Sequence, residues 1–126
     1  MPDNQLETIL LVENDGLQRA TVAQYLRDCG YRVVEATSAA EARVALSRLD
    51  ISIVVTDVNL RDASGFELSV LARQQHPGIK VFLTQLAEKT ARLAGDLCED
   101  GPLDHPYHTQ QLLERIKRMR SGHRTV

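Results

Sequence analysis

Five short apolar runs recur along this chain and alternate with segments of helical periodicity. Three of them are nearly continuous and rich in β-branched residues, and they lie at 8–12, 51–55 and 79–83. Two weaker runs lie at 31–34 and near 101–103. Strands that are buried on both faces of a parallel sheet have this composition, because neither side of such a strand meets water.

The segments between these runs have the amphipathic spacing of helices. They span residues 16–28, 39–49, 65–75, 88–98 and 108–120. Ser38 and Glu41 form a capping box that opens the second helix, and Ser64 and Glu67 offer the same device to the third. The sequence His76-Pro77-Gly78 predicts a stop after the third helix.

A β-α unit repeated five times predicts the α/β fold class. Short connections and right-handed crossovers turn such a chain into a five-stranded parallel sheet with helices on both faces. The length of 126 residues fits one domain, 1–126. We expect its core to span about 7–120 and residues 121–126 to form a tail.

Composition excludes several classes of function. With 15 basic and 17 acidic residues the formal net charge is −2, which argues against direct nucleic-acid binding. No apolar run reaches the roughly 18 residues of a membrane span, and residues 1–5 lack the pattern of a signal peptide. We therefore expect a cytoplasmic protein without membrane contact. Cys29 and Cys98 belong to no zinc motif, and we expect both to be reduced thiols.

Polar residues follow four of the predicted strands, at positions 13–15, 56–59, 84–85 and 104–107. The carboxyl ends of parallel strands meet at one edge of a sheet, which is where open α/β sheets bind ligands. Carboxylate and carbonyl oxygens suit Mg²⁺, and an Asp side chain can act as the nucleophile that accepts a phosphoryl group. The sequence therefore predicts cation binding and phosphoryl transfer to a carboxylate at this edge.

These residues resemble the receiver domains of two-component response regulators, and the resemblance covers nearly the whole chain. Residues 9–15 look like the family's first strand and acidic pair, and 55–60, followed by Gly65, look like the phosphoacceptor strand and loop. Residues 81–84 look like the strand that ends in the switch Thr or Ser. His105-Pro106-Tyr107 stands where the family has Lys-Pro-Phe.

The resemblance implies a flavodoxin-like, doubly wound sheet with strand order 2-1-3-4-5. Asp57 would accept the phosphoryl group, and Thr84 and His105 would contact it. Mg²⁺ would be held by Asp57, by Glu13 through water and by the backbone carbonyl of Asn59. The phosphoryl donor would be a histidine kinase or phosphotransfer protein. The phosphate would bias a two-state switch that an unidentified downstream protein reads, and homodimer formation stays open.

Several positions depart from the family pattern. Asn14 replaces a carboxylate that ligates Mg²⁺ directly. Its amide oxygen can still coordinate the ion but brings no charge, so we expect weak Mg²⁺ binding. His105 replaces a lysine and carries charge only at lower pH. Gln85 is longer than the small residue that the family prefers there, and we expect it to narrow the path by which a phosphoryl group reaches the site. Pro102 falls near the position of the family's switch aromatic residue, and Arg61 stands where the family frequently has a proline.

Two other functions compete with the phosphorylation switch. One is a phosphate-independent pseudo-receiver that acts as a protein–protein interaction module, which the departures from the family pattern favour. The other is a phosphatase with an Asp nucleophile. Such an enzyme needs a second Asp two residues after the nucleophile, and Asn59 cannot donate the catalytic proton. We therefore do not predict an enzyme. Glu13 and Asp15 also have the alternative role of capping the first helix.

Overall fold

Four strands and four helices alternate along the part of the chain that the computed structural model describes, residues 7–85 and 87–98. In chain order they are β1 Thr8–Val12, α1 Gly16–Asp28, β2 Arg32–Ala36, α2 Ala39–Arg48, β3 Ile53–Asp57, α3 Gly65–Gln75, β4 Lys80–Thr84 and α4 Ala87–Leu97. The four predicted helices in this range are confirmed to within about a residue. None of these helices has the length and apolar character needed to cross a membrane.

The described sheet is fully parallel and has the strand order β2-β1-β3-β4. This order agrees with the first four strands of the prediction. The sheet has four described strands where five were predicted. The fifth apolar run near 101–103, the helix at 108–120 and the tail at 121–126 lie outside the described residues.

The central strands β1 and β3 are buried because helices cover both faces of the sheet. On one face, α1 and α4 pack over a cluster made of Ile9, Leu11, Val22, Ala23, Tyr25, Leu26, Val33, Ile53, Val55, Ala91, Ala94 and Cys98. On the other face, α2 and α3 pack over Leu10, Val12, Ala36, Ala42, Leu46, Ile51, Val54, Leu68 and Ala72. Ile9 and Leu11 of β1 belong to the first cluster and Leu10 and Val12 to the second, because successive side chains of a strand point to opposite faces of the sheet.

The predicted helix starts are present as hydrogen bonds. The Ser38 hydroxyl accepts the backbone N–H of Glu41 at 3.2 Å, and the Ser64 hydroxyl accepts that of Glu67 at 3.1 Å. The Glu41 carboxylate in turn accepts the N–H of Thr37 at 2.7 Å. A cap of this kind typically stabilises a helix by about 1 kcal/mol.

The predicted stop after α3 is confirmed as well. The helix ends at Gln75, His76 caps it, and Gly78 follows with a φ of 93°, a conformation that favours glycine. The His76 side chain is half-buried. Its ring nitrogen lies 2.7 Å from the carbonyl oxygen of Leu46, so it joins the ends of α2 and α3.

The expectation of two reduced thiols is wrong in this structure, because Cys29 and Cys98 form a disulfide. Cys29 caps the C-terminus of α1 and Cys98 follows α4, and their Cα atoms are 5.6 Å apart. The two residues are separated by 69 positions. The packing of α4 against α1 brings the two cysteines together, and no local sequence motif predicts that contact.

The face on which α4 lies differs from that of a regular β-α-β continuation. A right-handed crossover from β4 to a strand beyond it would place the connecting helix beside α2 and α3. Instead α4 packs against α1, with Ala91 and Ala94 buried in the same cluster as Tyr25. The Tyr31 hydroxyl donates to the carbonyl of Leu97 at 2.6 Å and closes this contact near the disulfide.

Reduction of the disulfide should lower the free energy of unfolding by about 4 kcal/mol. The closed loop of the oxidised protein restricts the unfolded chain, and reduction restores that conformational entropy. Denaturant unfolding with and without a thiol-free reductant measures the difference. A Cys29→Ser/Cys98→Ser variant is the control, because reductant should leave its midpoint unchanged. Equal midpoints for the oxidised and reduced parent would contradict the structural role.

Candidate functional site

The predicted site residues in the described range meet at the carboxyl edge of the sheet. β1 ends at Val12, so Glu13 and Asn14 begin the loop above it, while Asp57 and Thr84 end β3 and β4. Asp57 and Thr84 are direct partners in the parallel register, and the N–H of Val58 donates to the Thr84 carbonyl at 2.9 Å. The strand ends therefore bring these positions together as the sequence predicted.

Glu13 is 6% exposed and its carboxylate is held on both sides. One oxygen accepts the N–H of Asp15 at 2.9 Å, and the other accepts the side-chain amide of Gln18 at 3.2 Å. Arg19 donates to the Glu13 carbonyl at 2.8 Å and forms an ion pair with Glu35 at 3.2 Å. These bonds fix the Glu13 carboxylate in position.

Gln18 and Arg19 were missed by the sequence analysis. Gln18 is 2% exposed, so it is a polar residue on the buried face of α1. Such a residue one turn after an acidic strand end is a signal that could have found it, because a buried amide needs a partner. Asp15 has the capping role left open above, since its carboxylate accepts the N–H of Gln18 at 3.0 Å.

Asn14 joins the loop after β1 to the loop after β3. Its side-chain NH₂ donates to the backbone carbonyl of Asn59 at 3.3 Å. Its side-chain oxygen Oδ1 is buried and has no hydrogen-bond partner among the residues that the structure describes. A buried acceptor without a partner costs about 1–3 kcal/mol, so this oxygen is suited to meet a donor or a cation.

Asp57 is half-buried, and its carboxylate oxygen Oδ1 accepts the N–H of Asn59 at 3.0 Å. Gly65 packs directly against this strand end, and its N–H donates to the Val58 carbonyl at 2.7 Å. A Cβ atom at Gly65 would lie 2.5 Å from the carbonyl oxygen of Asp57. Glycine at this position therefore lets α3 begin close beside the carboxylate-bearing strand end.

The loop after Asp57 is anchored by Asp62, a residue that the sequence analysis did not single out. Its two carboxylate oxygens accept the N–H groups of Ala39 and Ala40 at 2.9 and 3.0 Å. These two bonds, at the N-terminus of α2, hold the pKa of Asp62 below its usual range. A carboxylate near a free helix N-terminus is favourable, but the 23-residue separation from Ala39 hid the pairing.

The donor set at this edge fits a divalent cation. Carboxylates of Glu13 and Asp57, the amide oxygen of Asn14 and the carbonyl of Asn59 are the oxygen ligands that Mg²⁺ prefers. Among the described residues no three His, Cys, Asp or Glu side chains cluster as a metal site. Since N–H groups already occupy both Glu13 oxygens, a water-mediated role suits this residue.

The structure describes three of the remaining predicted positions and leaves two outside its described range. Thr84 is 6% exposed, whereas Gln85 and Arg61 are exposed at the rim. His105 and Pro102 lie outside the part of the chain that the structure describes, so their predicted roles stay predictions.

The sequence model of the family described as "Response regulator receiver domain" matches residues 9–117 of this chain. The chain belongs to the response regulator receiver family. This range includes every predicted site residue, and the matched residues form the parallel sheet whose edge carries Asp57.

Individual relatives agree with this membership. The chain is 30% identical over 118 residues to the aerobic respiration control protein ArcA of Escherichia coli K12, a match that covers 93% of this chain and 50% of ArcA. It thus spans about half the length of that relative. It is 28% identical to the response regulator receiver protein CpdR of Brucella abortus, over 90% of this chain and 97% of CpdR.

A solved structure shows the same fold. The CheY-like receiver domain protein of Methanospirillum hungatei JF-1 superposes with a TM-score of 0.63 at 25% identity. The match covers 94% of this chain and 96% of that protein.

Replacing Asp62 with alanine should lower the Tm at neutral pH, because the loop after Asp57 loses its anchor to α2. Since the folded pKa of Asp62 is lowered, its contribution is present above the unfolded carboxyl pKa and is lost as the pH falls through the folded value. Thermal unfolding followed by circular dichroism from neutral to strongly acidic pH should show the Tm gap closing. Asp50→Ala, another exposed Asp, is the charge-matched control. A Tm difference between the parent and Asp62→Ala that persists in strong acid would contradict the role of the Asp62 carboxylate as an anchor.

Proposed function

We propose that this receiver domain accepts a phosphoryl group on Asp57 in two-component signal transduction and responds with a change of conformation. The observation that carries the proposal is the position of the Asp57 carboxylate at the end of β3. Thr84 lies beside it in register, and Glu13, Asn14 and Asn59 border the same edge. The family membership supports the same chemistry.

In the proposed reaction a carboxylate oxygen of Asp57 attacks the phosphorus atom of a phosphohistidine. The P–N bond breaks as the acyl phosphate forms, and the released imidazole takes up a proton. The Thr84 hydroxyl sits on the neighbouring strand and would donate to a phosphoryl oxygen. Mg²⁺ held by Asp57, Asn14, the Asn59 carbonyl and, through water, Glu13 would neutralise charge on the phosphoryl oxygens.

The partners follow from this role. A histidine kinase or a phosphotransfer protein would supply the phosphoryl group, and a downstream protein would read the altered surface. The domain would act in the cytoplasm, as a phosphoprotein and not as a classical enzyme. His105 would contact the phosphoryl group from the segment after α4, and assembly into a homodimer is a further expectation from the sequence.

Incubation with Mg²⁺ and a small-molecule phosphodonor should add one phosphoryl group to the parent protein, which intact mass spectrometry detects. Asp57→Asn should show no adduct, because the amide is not a nucleophile for this step. Thr84→Ala should still react, at a rate lower by about tenfold or more, since it loses one hydrogen bond to the phosphoryl group.

The second arm of this experiment lowers the pH to where His105 becomes charged. An adduct on the Asp57→Asn variant would place the acceptor elsewhere. No adduct on the parent at high Mg²⁺ and at either pH would contradict phosphorylation of Asp57.

A second candidate function is a phosphate-independent interaction module, and one contact favours it. The Asn14 NH₂ group already bonds the Asn59 carbonyl, which is the oxygen proposed as a cation ligand. The two loops are therefore tied together by a neutral hydrogen bond. This bond competes with a cation for the Asn59 carbonyl oxygen.

Asn14→Asp separates the two candidates. The change adds a charged ligand and removes the donor to the Asn59 carbonyl, so Mg²⁺ affinity should rise by about tenfold or more, measured by isothermal titration calorimetry. Gln85→Glu is the matched control, because it adds the same charge at an exposed rim position. We expect a much smaller gain from it.

Each outcome of that titration is informative. Weak but saturable binding by the parent, tightened by Asn14→Asp, supports the phosphorylation switch with a weakened cation site. No saturable binding by the parent, with binding restored by Asn14→Asp, supports the phosphate-independent module. Equal affinities for the parent and Asn14→Asp would contradict the assignment of Asn14 to the cation site.

A further inference from the structure

The cysteine pair lies away from the Asp57 edge and joins two helices that pack against each other. Among the described side chains of α4, Ala91 and Ala94 are buried, and Leu93 and Leu97 are partly buried against the same cluster. These side chains are small or incompletely buried, and hydrophobic stabilisation scales with the apolar area buried. The disulfide and the Tyr31 hydroxyl bond to Leu97 therefore add to the attachment of α4 at its C-terminal end.

We propose that Cys29 and Cys98 form a thiol–disulfide exchange site that fixes α4 on α1 when oxidised and loosens it when reduced. The proposed partner is a low-molecular-weight thiol and its disulfide, of the glutathione class. Disulfides that form in the reducing cytoplasm are usually transient or redox-sensing. The cytoplasmic location proposed above thus favours a reversible pair over a permanent one.

The exchange converts two external thiols and the protein disulfide into two protein thiols and one external disulfide. In reduction, an external thiolate attacks one sulfur atom, the Cys29–Cys98 bond breaks, and a mixed disulfide forms. A second external thiol then displaces the protein sulfur, which leaves two protein thiols and one small-molecule disulfide. Cys29 is partly exposed and Cys98 is 6% exposed, so the attack falls on Cys29 and Cys98 is the leaving thiolate.

The surroundings of the pair make this exchange slow. Both cysteines stand at helix C-termini, Cys29 as the cap of α1 and Cys98 directly after α4. The partial negative charge of a helix C-terminus disfavours a thiolate. A sulfur that leaves poorly as a thiolate slows reduction and preserves the oxidised state.

The helix held by this pair also borders the proposed phosphoryl site. α4 begins at Ala87, three positions after Thr84, and Thr90 lines one small cavity together with Thr84 and Glu13. Loosening the far end of α4 would therefore change the support behind Thr84. This regulatory consequence rests on the proposed function, whereas the exchange chemistry rests only on the cysteine pair and on the proposed cytoplasmic location.

The test incubates the full chain in buffers of graded reduced and oxidised glutathione. Alkylation and intact mass give the oxidised fraction, and hydrogen–deuterium exchange gives the protection of the α4 amides. We expect the oxidised fraction to follow the glutathione ratio, and α4 to exchange about tenfold faster or more in the reduced protein. Cys29→Ser/Cys98→Ser is the control, and its α4 amides should exchange at the rate of the reduced parent in every buffer.

Two results would overturn the exchange site. One is an oxidised fraction that is the same in reduced glutathione alone and in oxidised glutathione alone. The other is equal protection of α4 in the oxidised and reduced protein. A phosphodonor added to both forms tests the regulatory part separately, since the adduct should have different lifetimes in the two forms. Equal lifetimes would overturn the link to the site, while the absence of any adduct in both forms would count against the proposed function alone.

Discussion

The parallel register of three strands is the constraint on which the site depends. β1, β3 and β4 end level with one another, because Val12 pairs with Thr56, and Asp57 pairs with Thr84. The polar residues that follow each strand therefore face one edge. A shift of one residue in any strand would send its side chains to the other face of the sheet. Because β1 and β3 are apolar on both faces, the close packing of particular side chains on each face keeps the register.

Hydrogen bonds between loops complete the edge that this register creates. Asn14 ties the loop after β1 to the loop after β3, and Asp62 ties the second loop to α2. Gly65 lets α3 start against the Asp57 carbonyl, where a side chain would not fit. The edge is thus held by hydrogen bonds between loops in which main-chain groups take part. This explains how one position, Asn14, bears on both candidate functions.

Local patterns predicted most of the described fold. Runs of β-branched residues gave β1, β3 and β4, and the capping serines and His76-Pro77-Gly78 gave the ends of α2 and α3. Glu13, Asn14, Asp57 and Thr84 were predicted to meet because strand ends in this fold class share an edge, and the structure places them at that edge. In each case the decisive information lies within a few neighbouring residues.

Contacts between distant segments escaped the sequence analysis. The Cys29–Cys98 disulfide and the face on which α4 packs depend on how α4 meets α1, and neither helix carries a local sign of its partner. Asp62 was missed for a similar reason, since its partners lie at the start of α2. Non-local packing of this kind is decided by the whole core.

The central claim is that residues from three strand ends form one phosphoryl-binding edge. A ¹H–¹⁵N correlation spectrum, recorded while Mg²⁺ and a beryllofluoride mimic of the phosphoryl group are added, tests it most directly. The account predicts saturable shifts concentrated at the amides of residues 13–15, 57–59 and 84, with smaller shifts elsewhere in the sheet. Shifts that do not saturate, or that cluster away from these three strand ends, would contradict it.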